Sequence, residues 1–150
     1  MIHEASSEDC AAVYLLICEL ASGGWTGSGD AYRPSFEAYA ETYRLLLSDG
    51  HKRYYVAKLG KSTVGVVGLT LNQSLVEAGN FAVIEELVVS EQHRRKGIGQ
   101  KLLDACLSFA KEQKCQSVVL TTGLERFAAH KLYEKNGFVN VGVKFIIDFI

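Results

Sequence analysis

One stretch of this chain combines residue types and spacing that could do chemistry. It runs Glu85-Glu86-Leu87-Val88-Val89-Ser90-Glu91-Gln92-His93-Arg94-Arg95-Lys96-Gly97-Ile98-Gly99. An apolar, strand-like run passes through a short loop into a basic, glycine-containing turn, and a helical pattern follows. A helix N-terminus leaves four backbone N–H groups without intrahelical partners and carries a partial positive charge. Glycines let a bulky anion approach that backbone closely. Arg94, Arg95 and Lys96 add full positive charge on the same side. Together these features make a pyrophosphate site.

Two familiar phosphate motifs fail here. A P-loop needs G-x-x-x-x-G-K-[ST], and only Gly97-x-Gly99 is present; the dinucleotide pattern G-x-G-x-x-G fails at Leu102. What stands in the chain is Arg94-x-x-Gly97-x-Gly99. This resembles the acetyl-CoA signature of the GNAT superfamily of N-acetyltransferases, [QR]-x-x-G-x-[GA], which follows a strand and opens a helix. Taken alone, a basic first turn is equally well a solvated helix start. A second segment weighs against that bland reading. Ala128-Ala129-His130-Lys131-Leu132-Tyr133-Glu134-Lys135-Asn136-Gly137-Phe138 resembles the family's A-x-x-L-Y-x-x-x-G-F, at the spacing expected after one intervening strand. The likeness is specific in residues over about 85–138 and covers nearly the whole chain by element order. Ile17-Cys18-Glu19-Leu20, Glu86-Leu87-Val88-Val89 and Ala129-His130-x-x-Tyr133 are also similar to aminoalkylphosphonate N-acetyltransferases.

The resemblance implies direct acetyl transfer from acetyl-CoA to a primary amine of a small molecule in a ternary complex, with no metal. Tyr133 would sit near the thiol sulfur and protonate the departing thiolate; the bland alternative is a core aromatic with a wet hydroxyl. Backbone groups of Leu87 and Val89 would pair with the pantetheine arm like an added strand. The backbone N–H near Val88 or Val89 would stabilise the oxyanion. Backbone N–H groups of Arg95, Lys96, Gly97, Ile98 and Gly99, with Arg94 beside them, would hold the pyrophosphate. Gln100 and His130 join the cofactor contacts. Many family members carry Asn seven residues before the Tyr. Here that residue is Arg126, a departure that touches the cofactor contact and not the fold.

Glu85 or Glu86 is the general-base candidate, acting directly or through a water. Side chains alternate across a strand, so one of the two should face the acceptor cleft and the other away. Family bases often sit at this position or one or two places earlier, where Val83 cannot serve. Parity with that site favours Glu85; a bulge, common beside active sites, would invert the choice. Cys106 and Cys115 have no nearby His in sequence, so an acetyl-cysteine route is disfavoured. Trp25, Asp30, Tyr32 and Glu19 could line a pocket for a cationic amine, against the alternative of a surface loop whose Trp caps the core. Two other readings stay open: a protein or peptide N-acetyltransferase, and a non-catalytic acetyl-CoA-binding module.

These groups must be positioned by the surrounding elements. Residues 2–5 read as an edge strand, with Ser6 or Ser7 as N-cap and Asp9 at capping-box spacing for a helix over about 8–20. Pro34 suits the first turn of a second helix, and Gly50 its stop. Then the period changes. Residues 54–59 and 64–71 read as a hairpin, 72–80 as a polar loop, and 81–89 as a third strand. A helix over 97–113, a strand over 117–121 and a helix over about 125–136 follow. Gly137 is a left-handed cap, and Phe138–Val141 and Lys144–Phe149 read as two terminal strands. This predicts an α/β (α+β) domain spanning 1–150, with a mixed, mostly antiparallel sheet of six to seven strands flanked by four helices.

Composition excludes other classes. The 150 residues carry 16 Lys+Arg against 17 Asp+Glu, for a net charge of −1, so there is no broad basic field for nucleic acid or membrane. No apolar run is long enough to span a bilayer, and the start lacks a secretory pattern. The four cysteines form no C-x-x-C pair or zinc spacing, which points to reduced thiols in the cytoplasm. Self-association as a homodimer through the apolar residues Phe145–Ile150 is a further expectation.

Overall fold

The computed structural model describes residues 1–22, 34–124, 126–147 and 149. Strand β1 (Ile2–Glu4) and a 3-10 turn (Ser7–Asp9) lead into α1 (Cys10–Ser22); α2 (Phe36–Ser48) comes next. Three long strands follow: β2 (Lys52–Leu59), β3 (Ser62–Ser74) and β4 (Gly79–Val89). A 3-10 turn (Glu91–His93), α3 (Ile98–Glu112), β5 (Ser117–Leu120) and α4 (Phe127–Lys135) complete the order. The sheet runs β1-β2-β3-β4-β5, antiparallel throughout except for the parallel β4–β5 pair.

Two apolar layers hold the sheet. On one face Val13, Leu16 and Leu20 of α1 and Tyr43 of α2 meet Val56, Val66 and Val88. On the other, Ile98, Leu102, Leu103, Cys106 and Ala110 of α3 cover Val67, Leu69, Ala82 and Ile84. The i, i+4 spacing of the α3 residues explains why that helix lies flat on the sheet. Leu132, Tyr133 and Phe138 join the rim of the second layer, which fixes α4 beside the end of β4.

Asp9 anchors α1 to the sheet. It is 3 % exposed, and its carboxylate accepts from the Ser6 backbone N–H and hydroxyl, from Thr63 Oγ1, and from Lys58 Nζ at 2.9 Å. The expected Ser6–Asp9 pairing is thus present, extended by two partners from the β2–β3 hairpin.

Four expectations need correction. Phe138–Val141 and Lys144–Phe149 form no strand among the described residues, so the sheet there has five strands, not six or seven. Alternating apolar residues make a strand only when a neighbour supplies the ladder, and none pairs with them here. Residues 72–80 are mostly strand: the long β3–β4 ladder runs from Gly65–Val89 to Ser74–Gly79, because backbone pairing carries polar side chains outward without penalty. The second helix starts after Pro34, with Ser35 Oγ accepting from the Ala38 N–H. It ends at Ser48, with Asp49 and not Gly50 as its cap.

Candidate active site

The β4–β5 ladder stops at the Ile84–Leu120 pair, while β4 continues to Val89. Beyond that point the two strands part, and the β5 side of residues 85–89 has no strand partner among the described residues. A cavity of about 240 Å³ opens at the split. Glu85, Glu86, Leu87 and Tyr133 line it, with Thr121 and Thr122 beyond the end of β5, and Arg126 and Lys144.

The register of β3 against β4 shows how the two carboxylates are placed. Val66 faces Val88 but Gly68 faces Glu85, so β4 has one residue too many opposite Val67. This bulge holds Glu86 in the left-handed region, at φ +44°, a conformation that costs a non-glycine residue about 1 kcal/mol. The bulge breaks strand alternation. Glu85 Oε2 accepts from Thr70 Oγ1 at 3.0 Å, and that hydroxyl in turn accepts from Lys52 Nζ. Glu86 lies over Gly68 against Tyr54: a Cβ on Gly68 would stand 2.6 Å from Tyr54 Cε1 and 3.1 Å from Glu86 Oε2. Both residues line the cavity, and the bulge breaks the alternation on which the expectation that one faces away rested.

They differ in environment. Glu85 is satisfied by Thr70 and partly exposed. Glu86 Oε2 is buried, and no described residue bonds to it. Burial, reinforced by the Glu85 charge and opposed by Lys52, pushes its carboxyl up to about 7. That value suits a group that must take a proton near neutrality. Across the cavity, burial raises the Tyr133 hydroxyl and Arg126 pulls it back. Arg126 precedes Tyr133 by seven residues, two helical turns, so both reach the same face of α4.

The basic turn has the geometry of an anion cradle. Arg95 (φ +60°) and Gly97 (φ +77°) are both left-handed with Lys96 between them, an arrangement that turns successive backbone N–H groups to one side. Gly97 caps α3, so the first turn of that helix points its free N–H groups there. Arg94, Arg95, Lys96 and Gly97 are exposed. Arg94 Nε is bonded to the Val89 carbonyl and Lys96 Nζ to that of Gln92, which ties the turn to the end of β4. Gly99 lies close to Leu132 Cδ2 (3.6 Å from a built Cβ).

The model describing the acetyltransferase (GNAT) family matches residues 13–138. The chain belongs to this family. Within it, the chain is similar to the aminoalkylphosphonate N-acetyltransferase of Salmonella typhimurium: 28 % identity over 137 residues, 91 % of this chain and 83 % of that protein. It is 35 % identical over 107 residues to N-acetyltransferase 8 of Rattus norvegicus, covering 71 % of this chain and 48 % of that protein. The chain thus spans about half the length of that relative. A solved structure, a transcriptional regulator from Bacillus halodurans, has the same fold, with a TM-score of 0.87 over 99 % of each chain at 24 % identity. As a GNAT acetyltransferase, the chain is an acyltransferase by class.

Other candidate residues of this GNAT chain do not line the cavity. His130 Nε2 lies 2.8 Å from the Gly123 carbonyl, which also accepts from the Arg126 N–H, so His130 braces the β5–α4 loop. Gln100 is bonded to Asn136 and Asp104. Val88 is buried in the α1 layer. Glu19 accepts from the Glu91 backbone N–H, tying α1 to the turn after β4. Trp25, Asp30 and Tyr32 lie outside the described residues. Cys106 is fully buried and its thiol pushed up to about 12, and burial also raises Cys115; neither is a ready thiolate. Sequence reasoning missed Tyr54, Thr121, Thr122 and Lys144. Gly68 inside a strand was a signal of close approach; Lys144 had none.

Proposed function

We propose that this chain moves an acetyl group from acetyl-CoA to the primary amine of a small molecule by direct transfer, as a single catalytic domain. The observation that carries the reading is the buried Glu86 Oε2, to which no described residue bonds, at the point where β4 and β5 part, with Tyr133 also lining the cavity. The cradle of Arg95, Lys96 and Gly97 at the start of α3 fits the diphosphate of the donor, and the unpaired edge of residues 85–89 fits its amide-bearing arm.

In this scheme Glu86, directly or through a water, takes a proton from the substrate ammonium. The amine lone pair attacks the acetyl carbonyl carbon, and a backbone N–H near Val88 or Val89 receives the developing oxyanion. The tetrahedral centre releases its extra N–H proton to solvent and collapses; the C–S bond breaks, and the thiolate takes the Tyr133 proton. Arg126 then stabilises the phenolate until solvent reprotonates it. A cavity of about 240 Å³ suits a small amine better than a polypeptide. The four cysteines are free, which supports a reducing, cytosolic setting.

The test is thiol release from acetyl-CoA by the purified chain with aminoalkylphosphonates, polyamines, aminoglycosides and peptides. Release that depends on a small amine is expected. Release with peptides alone selects a protein acetyltransferase; acetyl-CoA binding without release under any amine selects a non-catalytic module.

A further inference from the structure

Lys52, Thr70 and Glu85 stand on three neighbouring strands, β2, β3 and β4, and their side chains join in one chain of hydrogen bonds. Lys52 opposes Thr70 directly in the β2–β3 register, and Lys52 Nζ donates to Thr70 Oγ1 at 2.9 Å. Thr70 Oγ1 donates to Glu85 Oε2 at 3.0 Å. An ammonium can only donate, and a hydroxyl has one proton to donate. The direction of the chain is therefore fixed: Thr70 accepts from Lys52 and aims its proton at Glu85. Lys52 Nζ also stands 3.9 Å from the same Glu85 oxygen. The Lys52 side chain is 21 % exposed and that of Glu85 37 %, so water screens the arrangement only in part.

The next residue has no such support. Glu86 Oε2 is buried over Gly68, beside Tyr54, and no described residue bonds to it. Two interacting carboxylates do not release their protons independently, and donors aimed at one of them favour its charged form. Here the donors serve Glu85 alone. We propose that Lys52, acting through Thr70, is a positioning residue that pins Glu85 as the fixed anion of the pair and leaves Glu86 as the carboxylate that exchanges the proton. The use of that proton in acetyl transfer rests on the reading of Glu86 as the base.

The groups around Glu86 agree with this division. Glu85 faces it from its own strand, Lys52 and Tyr54 from β2, and Tyr39 from α2. Tyr133, Arg126 and Lys144 line the same cavity. Burial raises all three phenols, so none competes for a proton near neutrality. Burial raises the Glu86 carboxyl first; Glu85 raises it further, and Lys52 lowers it.

Carboxyl carbon NMR of the free chain tests the proposal without any acceptor, with Glu85→Gln and Glu86→Gln assigning the two signals. In the wild type, the carboxyl that changes protonation near neutrality should be that of Glu86. Lys52→Met should move the Glu86 midpoint up, and Lys52→Arg should restore most of it. Thr70→Val should spread the titration over both carboxyls, and Thr70→Ser should leave it on Glu86. In thiol release with the most active amine, kcat/KM of Lys52→Met at about pH 6 should fall roughly three- to tenfold, the loss fading as pH climbs. Should Lys52→Met not fold by circular dichroism, Thr70→Val reads the same chain at its middle. A proton taken up by Glu85 in the wild type overturns the proposal. So does a Glu86 titration that ignores both Lys52→Met and Thr70→Val. A Glu86 midpoint that moves as expected while no amine is acetylated, or while the rate shows no acid limb, supports the division between the two carboxylates and removes Glu86 from the role of base.

Discussion

Gln100 and Asn136 clasp each other through a reciprocal amide pair: Gln100 Nε2 donates to Asn136 Oδ1 at 2.8 Å, and Asn136 Nδ2 donates to Gln100 Oε1 at 2.9 Å. Gln100 stands in the first turn of α3, beside the basic cradle; Asn136 caps α4 three residues after Tyr133. The pair ties the basic turn at the start of α3 to the end of α4, close in sequence to Tyr133. Replacing either amide by Leu removes both bonds between them, while Asn136 keeps the Leu132 carbonyl or Gln100 keeps Asp104, so each single variant should lose about 1 kcal/mol in urea unfolding. The double variant should lose clearly less than the sum. Strict additivity would show that the pair is not coupled.

Tyr133→Phe removes one oxygen from the cavity wall and leaves the ring against Phe138. Turnover should fall about 10²-fold, while acetyl-CoA affinity by calorimetry stays essentially unchanged. Undiminished turnover would remove Tyr133 from the acid role.

Glu86 links activity to stability in opposite senses. With its carboxyl held near 7, kcat/KM should climb as pH rises through about 7, and Glu86→Gln should abolish that limb and lower the rate. The stability sign is the reverse. A carboxyl whose folded pKa exceeds its unfolded value of 4.5 favours folding when protonated. The wild type therefore loses stability as pH climbs from about 4.5 to 7. Above that range Glu86→Gln should be more stable than wild type by on the order of 2–3 kcal/mol, with little difference at about pH 4. Thermal melts at the two pH values measure both; a Gln variant less stable at high pH would contradict the buried-charge account.

Gly97→Ala probes the cradle. A methyl there meets nothing within 4 Å, but φ is +77°, so the cost is backbone strain of about 1 kcal/mol together with crowding of a bound diphosphate. Stability should fall slightly and acetyl-CoA affinity substantially. Unaltered affinity would place the diphosphate elsewhere.

Asp9 should govern the acid limb of unfolding. Burial alone would raise its carboxyl, but Lys58, the Ser6 backbone, Thr63 and the Ser6 hydroxyl together hold it below 3.8. Its contribution is present above that value and lost as pH drops through the folded pKa. Asp9→Asn should cost about 3 kcal/mol near neutrality, by leaving Lys58 unpaired. Denaturant melts should show that gap narrowing at acid pH; a constant gap would argue for a purely steric role.

The turn at 94–99 and the helix after it were legible because glycine spacing, charge and a change of period fall within a dozen residues. So were α1, the β2–β3 hairpin and α4, whose signals are local. The bulge at Glu86 was not, because it is a relation between β3 and β4: the extra residue exists only once Val66 meets Val88 and Gly68 meets Glu85. The placement of Glu85 and Glu86 therefore depends on a partner strand seventeen residues and more away in sequence. The opposite error arose at 138–149, where alternation was strong and the ladder absent. Thr121, Thr122 and Lys144 reach the cavity through tertiary placement that no spacing announces.

Past the Ile84–Leu120 pair, β4 presents peptide groups to whatever enters the split. Every amino acid brings the same peptide group. Exchanging Leu87 or Val89 for another residue alters the girth of the slot but not its pattern of donors and acceptors. On the proposed reading, grip on the donor and taste in acceptors are written at different addresses, one in the main chain, the other in cavity-lining side chains such as Leu20 and Lys144. Selection can revise the second while the first stands.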